Sequence, residues 1–125
     1  MSLMQEMVRE EAIPLDGPTY WRGRRQFTEN LAAILGRFRD AGVPVFVGSL
    51  ASNLRDQRPF RSARTRAHPA ADRVFDDARQ ALGRGDLPLA RRLFAYARDL
   101  DGLRFRATGE FSEIIRRVAG ETGAH

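Results

Sequence analysis

One run of the chain, Val43-Pro44-Val45-Phe46-Val47, sits between Gly42 and Gly48 with no polar interruption. Five residues that are mostly β-branched or aromatic predict a strand buried on both faces, as in parallel sheets covered by helices. No other segment reads clearly as a strand, so the rest of the chain has to be organised around this one. Polar residues follow at once, from Ser49 to Asp56. The C-terminal ends of strands are where open α/β sheets hold their ligands, which makes Ser52, Asn53, Arg55 and Asp56 candidate rim residues of a site. A lone strand also has two unpaired edges, and such edges invite pairing. Val43, Val45, Phe46 and Val47 are therefore the expected contact of a homodimer or higher homo-oligomer, paired about a two-fold axis.

Helical patterns surround the strand. Phe27, Leu31, Ile34, Leu35 and Phe38 fall on one face of a helix that Thr19 is placed to cap and Gly42 to end. A polar loop from Ser49 to Ala67 follows, with Arg55, Arg58, Arg61, Arg64 and Arg66 against one acid, Asp56. Val74, Phe75, Ala78, Ala81 and Leu82 predict the apolar face of a next helix, opened by Pro69 and ended by Gly83 and Gly85. Asp86 caps another, with Ala90, Leu93, Phe94, Ala97 and Leu100 inward. So short a turn makes these two helices an antiparallel hairpin. Thr108 caps a last helix, with Phe111, Ile114, Ile115 and Val118 in its stripe and Gly120 and Gly123 at its end. A short helix is expected over Met4–Ala12, before the breakers Pro14, Gly17 and Pro18. The domain reading is a partly disordered N-terminal segment over 1–18 and a single domain over 19–125. Within that domain 19–60 is helix, strand and loop, 67–102 the hairpin, and 108–120 the C-terminal helix.

Composition narrows the function classes. At 125 residues, with 42% hydrophobic and 30% charged residues, the chain is expected to be one folded domain. No apolar run approaches the ~20 residues that span a bilayer, and Glu6, Glu10 and Glu11 stand where a secretion signal would be apolar. A cytoplasmic protein without a membrane partner is expected. There is no cysteine, and His68 and His125 are the only histidines, so neither a thiolate nor a histidine-rich metal site is predicted, and no cofactor. The net charge is +5 and all 21 basic residues are arginine, which reads as the base composition of the genome. Phe60 is the only aromatic near the arginines of the loop, so nucleic acid is not the expected partner. His68, beside Pro69, reads as a capping or solvent-facing residue, and Asp76, Asp77, Asp99 and Asp101 as helix-surface acids paired with Arg79, Arg98 or Arg104.

Two resemblances follow. Phe27 to Ile34, Ala41-Gly42-Val43-Pro44-Val45, and Ser52-Asn53-Leu54-Arg55-Asp56 with Pro59-Phe60 resemble the SGNH (GDSL-like) hydrolase superfamily, and more closely a bacterial branch with a helical insertion. Ala97 to Asp101, Leu103 to Ala107 and Phe111 to Arg116 resemble the same branch beyond that insertion. The resemblance implies a flavodoxin-like fold and ester chemistry, with a serine in a Gly-Asp-Ser motif and a base in an Asp-x-x-His motif. Neither motif occurs in these 125 residues, and no catalytic residue is carried over. Ala71 to Arg104 resembles a tetratricopeptide repeat: Gly85-Asp86 fits the turn, and Ala90, Phe94 and Ala97 fit the small-large-small helix face.

The expected fold is therefore mostly α with minor β, an α/β fragment ordered helix–strand–long loop–helical hairpin–helix and derived from a flavodoxin-like SGNH fold. The expected function is that of the middle of an SGNH-type ester hydrolase, without catalysis of its own and self-associating. The alternatives are a tetratricopeptide-like module that takes a protein partner through its hairpin, and an Arg-rich loop that binds nucleic acid or phosphate.

Overall fold

The computed structural model describes residues 12–125, which carry four helices: α1 Pro18–Asp40, α2 Ala71–Gly83, α3 Leu87–Leu100 and α4 Gly109–Thr122. There is no strand among the described residues, so the expected α/β fragment with a central strand, derived from a flavodoxin-like fold, is corrected to an all-helical chain. The reason lies in the pairing of residues 43–47. A strand needs a ladder of bonds to a neighbour. Here His125 N–H donates to the Val45 carbonyl (2.9 Å) and Val47 N–H donates to the His125 carbonyl (2.7 Å), which is one residue of pairing. The run is also not buried on both faces. Val45 and Val47 pack partly onto apolar side chains, while Phe46 is 81% exposed and Val43 is exposed as well. The strand edge expected to join Val43, Val45, Phe46 and Val47 of two copies thus has no strand to start from. The expected helix over Met4–Ala12 and the disorder assigned to 1–18 lie, up to residue 11, outside the described residues.

The chain divides into two compact units, residues 12–17 with 52–106 and residues 18–51 with 107–125. The first is built on the α2–α3 hairpin. Ala71, Ala78, Ala81, Ala90 and Ala97 are almost fully buried, and these small side chains let the helices approach closely. Phe75 and Phe94 fill the remaining space edge to face, with ring centroids 5.2 Å apart. The turn is closed by backbone geometry. Asp86 N–H reaches the Ala81 carbonyl and Gly85 N–H the Leu82 carbonyl, a Schellman pattern that requires the positive φ of Gly85 (79°). Asp86 Oδ1 then accepts from Leu89 N–H (3.1 Å) and starts α3. At the start of α2, Ala70 has no side chain to cap with, and Ser62 of the preceding loop supplies one, its Oγ accepting from Asp72 N–H (3.0 Å).

In the second unit α1 packs against α4 through Leu35, Ile114 and Val118, flanked by Phe27 and Leu31. The part of α1 that packs on this core is chiefly the i, i+4 row Phe27–Leu31–Leu35, with Ala32 beside it. Ile34 and Phe38, expected in the same stripe, are 52% and 43% exposed, because one facing helix covers one row. α1 ends as its sequence predicts, with Gly42 at φ 68° and Val43 N–H returning to the Phe38 carbonyl. Two capping expectations change. α1 begins at Pro18, so Thr19 lies inside it and its hydroxyl accepts from Arg22. Thr108 stands at the N-cap of α4 without a capping bond, and its hydroxyl meets the buried Tyr20 hydroxyl at 2.9 Å instead. The Tyr20 hydroxyl donates to Glu110 Oε2 (2.7 Å), and Arg24 pairs with the other carboxylate oxygen of Glu110. No helix among the described residues is long and apolar enough to cross a membrane. The longest, α1, carries Arg22, Arg24, Arg25, Glu29, Arg37 and Arg39.

Candidate functional site

The first unit gathers most of the polar side chains that sequence reasoning singled out. Its centre is Asp101, just past the end of α3 and 1% exposed. Its Oδ1 accepts from the N–H groups of Arg61 (3.0 Å) and Leu103 (3.1 Å). Its Oδ2 accepts from Phe60 N–H (2.9 Å) and from the Arg106 guanidinium (3.2 Å). Arg106 is itself nearly buried and donates to the carbonyls of Asn53 and Gln57, both at 2.9 Å. A carboxylate at the C-terminal end of a helix is opposed by the helix dipole, so it stands there for its partners. Expected as a helix-surface acid, Asp101 is instead the anchor that holds residues 53–61 against the hairpin. That placement, an acid directly after a helix and before a glycine, is the sequence signal that could have marked it. Asp99 is bonded to Arg98, as its spacing predicts, while Arg104 reaches the Asp99 carbonyl (2.6 Å).

The four candidate rim residues are brought together, largely with one another. Ser52 Oγ accepts a long bond from Arg98 (3.4 Å). Asn53 Oδ1 accepts from Asp56 N–H (3.0 Å), an Asx-type turn. Arg55 donates twice to the Asp56 carboxylate, at 2.9 and 3.2 Å, and this bond, with the adjacent charge, raises the Arg55 guanidinium above its ordinary value. Arg55 and Asp56 also rim a cavity of about 480 Å³ with Arg58 and Arg79, over Phe75, Leu82 and Phe94. Arg58 spans this cavity. Its guanidinium lies 5.1 Å from the centre of the Phe75 ring and donates to both oxygens of Asp76 (2.9 and 3.3 Å). Asp76, expected to pair within its helix with Arg79, takes its hydrogen bonds from the loop arginine, and the Arg79 charge acts on it as a lesser attraction.

The Arg58 hydrogen bond holds the Asp76 carboxyl below its ordinary 3.8 and, reciprocally, raises Arg58. A carboxyl lowered on folding contributes stability that is present above its unfolded value and lost as pH falls through its folded value. Asp76→Asn is therefore expected to flatten the acid side of the stability profile below 3.8. The effect should be small and weaken with salt, since the pair is exposed. Denaturant midpoints at neutral pH and at about pH 3 check this. Parallel losses in the variant and the parent chain would refute it.

His68 is not solvent-facing. Its Nδ1 lies 3.0 Å from the Tyr96 hydroxyl and its Nε2 2.9 Å from Asp16 Oδ2. It forms one wall of a second cavity, about 380 Å³, lined also by Arg64, Arg66 and Arg73. Val43, Val45, Phe46 and Val47 belong to the other unit and take no part in either cavity. Compared with known proteins, the chain matches no family model, no curated protein and no solved structure.

Proposed function

We propose that this chain works by binding, and that the larger cavity of its first unit takes a peptide segment of a partner protein. An apolar side chain of that segment sits over Phe75, Leu82 and Phe94, and a neighbouring carboxylate meets Arg79. The observation that carries this reading is the make-up of the cavity: an apolar floor between two internally neutralised pairs, Arg55–Asp56 and Arg58–Asp76, beside Arg79, which makes no salt bridge or side-chain hydrogen bond among the described residues and is only weakly engaged by the charge of Asp76. Neutralised pairs give a rim that can exchange hydrogen bonds with a peptide backbone without presenting a strong field of either sign. A hydrolase of the resembled kind needs a nucleophile and a base within hydrogen-bond reach. Ser52 is bonded instead to Arg98, and the Gly-Asp-Ser and Asp-x-x-His motifs do not occur in the sequence. In this reading the tetratricopeptide-like hairpin supplies the floor and the SGNH-like loop supplies the rim.

The test is a peptide-display selection followed by fluorescence anisotropy on the selected sequences. Enrichment of an apolar residue next to Asp or Glu is expected, and Arg79→Glu should weaken binding by about tenfold or more, the loss of one charge-assisted bond. Its thermal midpoint should stay close to that of the parent chain, since Arg79 is exposed. Selected peptides that bind Arg79→Glu as well as the parent would overturn the reading.

A further inference from the structure

We infer that the second cavity, between residues 64–70 and the first turn of α2, is a binding site for the phosphate group of a small phosphate monoester. This inference is independent of the peptide reading, since the two cavities share no lining residue. Several arginines of the first unit are matched to acids: Arg55 to Asp56, Arg58 to Asp76 and Asp72, Arg98 to Asp99, Arg106 to Asp101. Of the arginines that are not, Arg64, Arg66 and Arg73 are gathered at one place. Each is exposed, and none has an ion pair or a side-chain hydrogen bond among the described residues. All three line one concave surface of about 380 Å³ that includes no acid among the described residues.

Three like charges around a cavity repel one another, and an anion placed among them removes that repulsion while gaining charge-assisted hydrogen bonds. The guanidinium fork matches the oxygens of a phosphate in pairs, and a monoester offers three such oxygens and nearly two charges at neutral pH. Arg73 belongs to the first turn of α2, where the helix dipole is positive. A cation is disfavoured there, and an anion in front of it is favoured. The nearest acid in sequence, Asp72, is turned to Arg58 on the other cavity (3.8 Å).

The backbone holds this arrangement in shape. Thr65 N–H donates to the His68 carbonyl and His68 N–H to the Thr65 hydroxyl, both at 3.0 Å, which closes the loop between the first two arginines and the helix. The His68 ring is held on both nitrogens by Tyr96 and Asp16, so it serves as a wall while the arginines remain available. The volume suits a phosphate with a small organic group, and is too small for a nucleic-acid strand to lie within.

The test is a phosphorus NMR titration of the full chain with glycerol 2-phosphate, and with dimethyl phosphate as the singly charged diester. Saturable binding of the monoester in the millimolar range or tighter is expected, with the diester weaker by about tenfold or more. Arg64→Ala, Arg66→Ala and Arg73→Ala should each weaken the monoester by about tenfold, the loss of one charge-assisted contact. Arg91→Ala, an exposed arginine of α3 outside the cavity, should leave it unchanged. Circular dichroism melts of all four variants should overlay the parent, because surface substitutions of this kind alter stability little. No saturation up to about 10 mM would overturn the inference. So would equal weakening by Arg91→Ala, or equal binding of the diester. A short single-stranded oligonucleotide that binds more tightly than the monoester would also overturn it, by showing a polyanion surface in place of a monoester site.

Discussion

Asp101→Ala is expected to destabilise the first unit by about 3–5 kcal/mol, the range for removing one partner of a buried ion pair. The substitution leaves Arg106 nearly buried without its carboxylate, and it strips an acceptor from three backbone N–H groups, those of Phe60, Arg61 and Leu103. A fall in the thermal midpoint of more than about 10 °C should follow. Asp101→Asn is the sharper variant. The two oxygens serve different partners, Oδ1 for Arg61 and Leu103 and Oδ2 for Phe60 and Arg106. An amide can keep an oxygen on one side only, and its NH₂ then faces donors on the other. Asn is therefore expected to be nearly as costly as Ala. Hydrogen exchange should show the amides of Phe60 and Arg61 losing protection in both variants. An Asn variant as stable as the parent would show that the carboxylate is not the anchor.

Phe94→Ala is expected to cost about 3–5 kcal/mol as well, through a different mechanism. Phe94 is 4% exposed and stacks edge to face on Phe75, in a cluster that includes five buried alanines of two closely packed helices. The alanines cannot extend into a vacated space, and helices already in close contact have little room to collapse, so most of the lost contact is not recovered. Phe94→Leu should recover more than half of the loss, because it restores most of the volume. Chemical denaturation of the three chains decides the matter. A Phe94→Ala chain within about 1 kcal/mol of the parent would mean that the hairpin is held elsewhere.

The helices were legible because their signals are local. A glycine that takes positive φ, an aspartate one residue before a helix and apolar residues three and four apart specify α2, α3 and the end of α1 without reference to the rest of the chain. The strand was misread for the complementary reason. Val43 to Val47 has the composition of a buried strand, but a strand exists only through a neighbour, and composition does not report whether one is present. Here, among the described residues, the neighbour is His125. Thr108 and Thr19 show the same limit at a smaller scale: each has the right side chain for a cap, and each hydroxyl is claimed by a tertiary or adjacent partner instead.

Among the polar residues, Asn53, Arg55 and Asp56 were grouped by adjacency, and they do meet. Asp101 and Arg106, which hold that group in place, are more than 40 residues away in sequence; Asp101 reads there as a surface acid, and nothing in the sequence singles out the Arg106 charge. The arginines of residues 55–66 look alike in sequence. They differ by whether an acid from another element faces them, as Asp76 of α2 faces Arg58 while no acid among the described residues pairs with Arg64 or Arg66. No local pattern encodes that distinction.

The connection between residue 52 and the start of α2 is long for a compact unit, and the entropy of closing a free loop rises with its length. This one is not free along its length. Phe60 and Arg61 are held by the Asp101 carboxylate, Arg61 also through its carbonyl to Gly102 N–H, and Ser62 by Asp72 N–H. Three consecutive residues thus form a post in the middle of the connection. In entropic terms the segment is two short loops, one over each cavity, and each has an ordinary closure cost that the whole, left unpinned, would exceed.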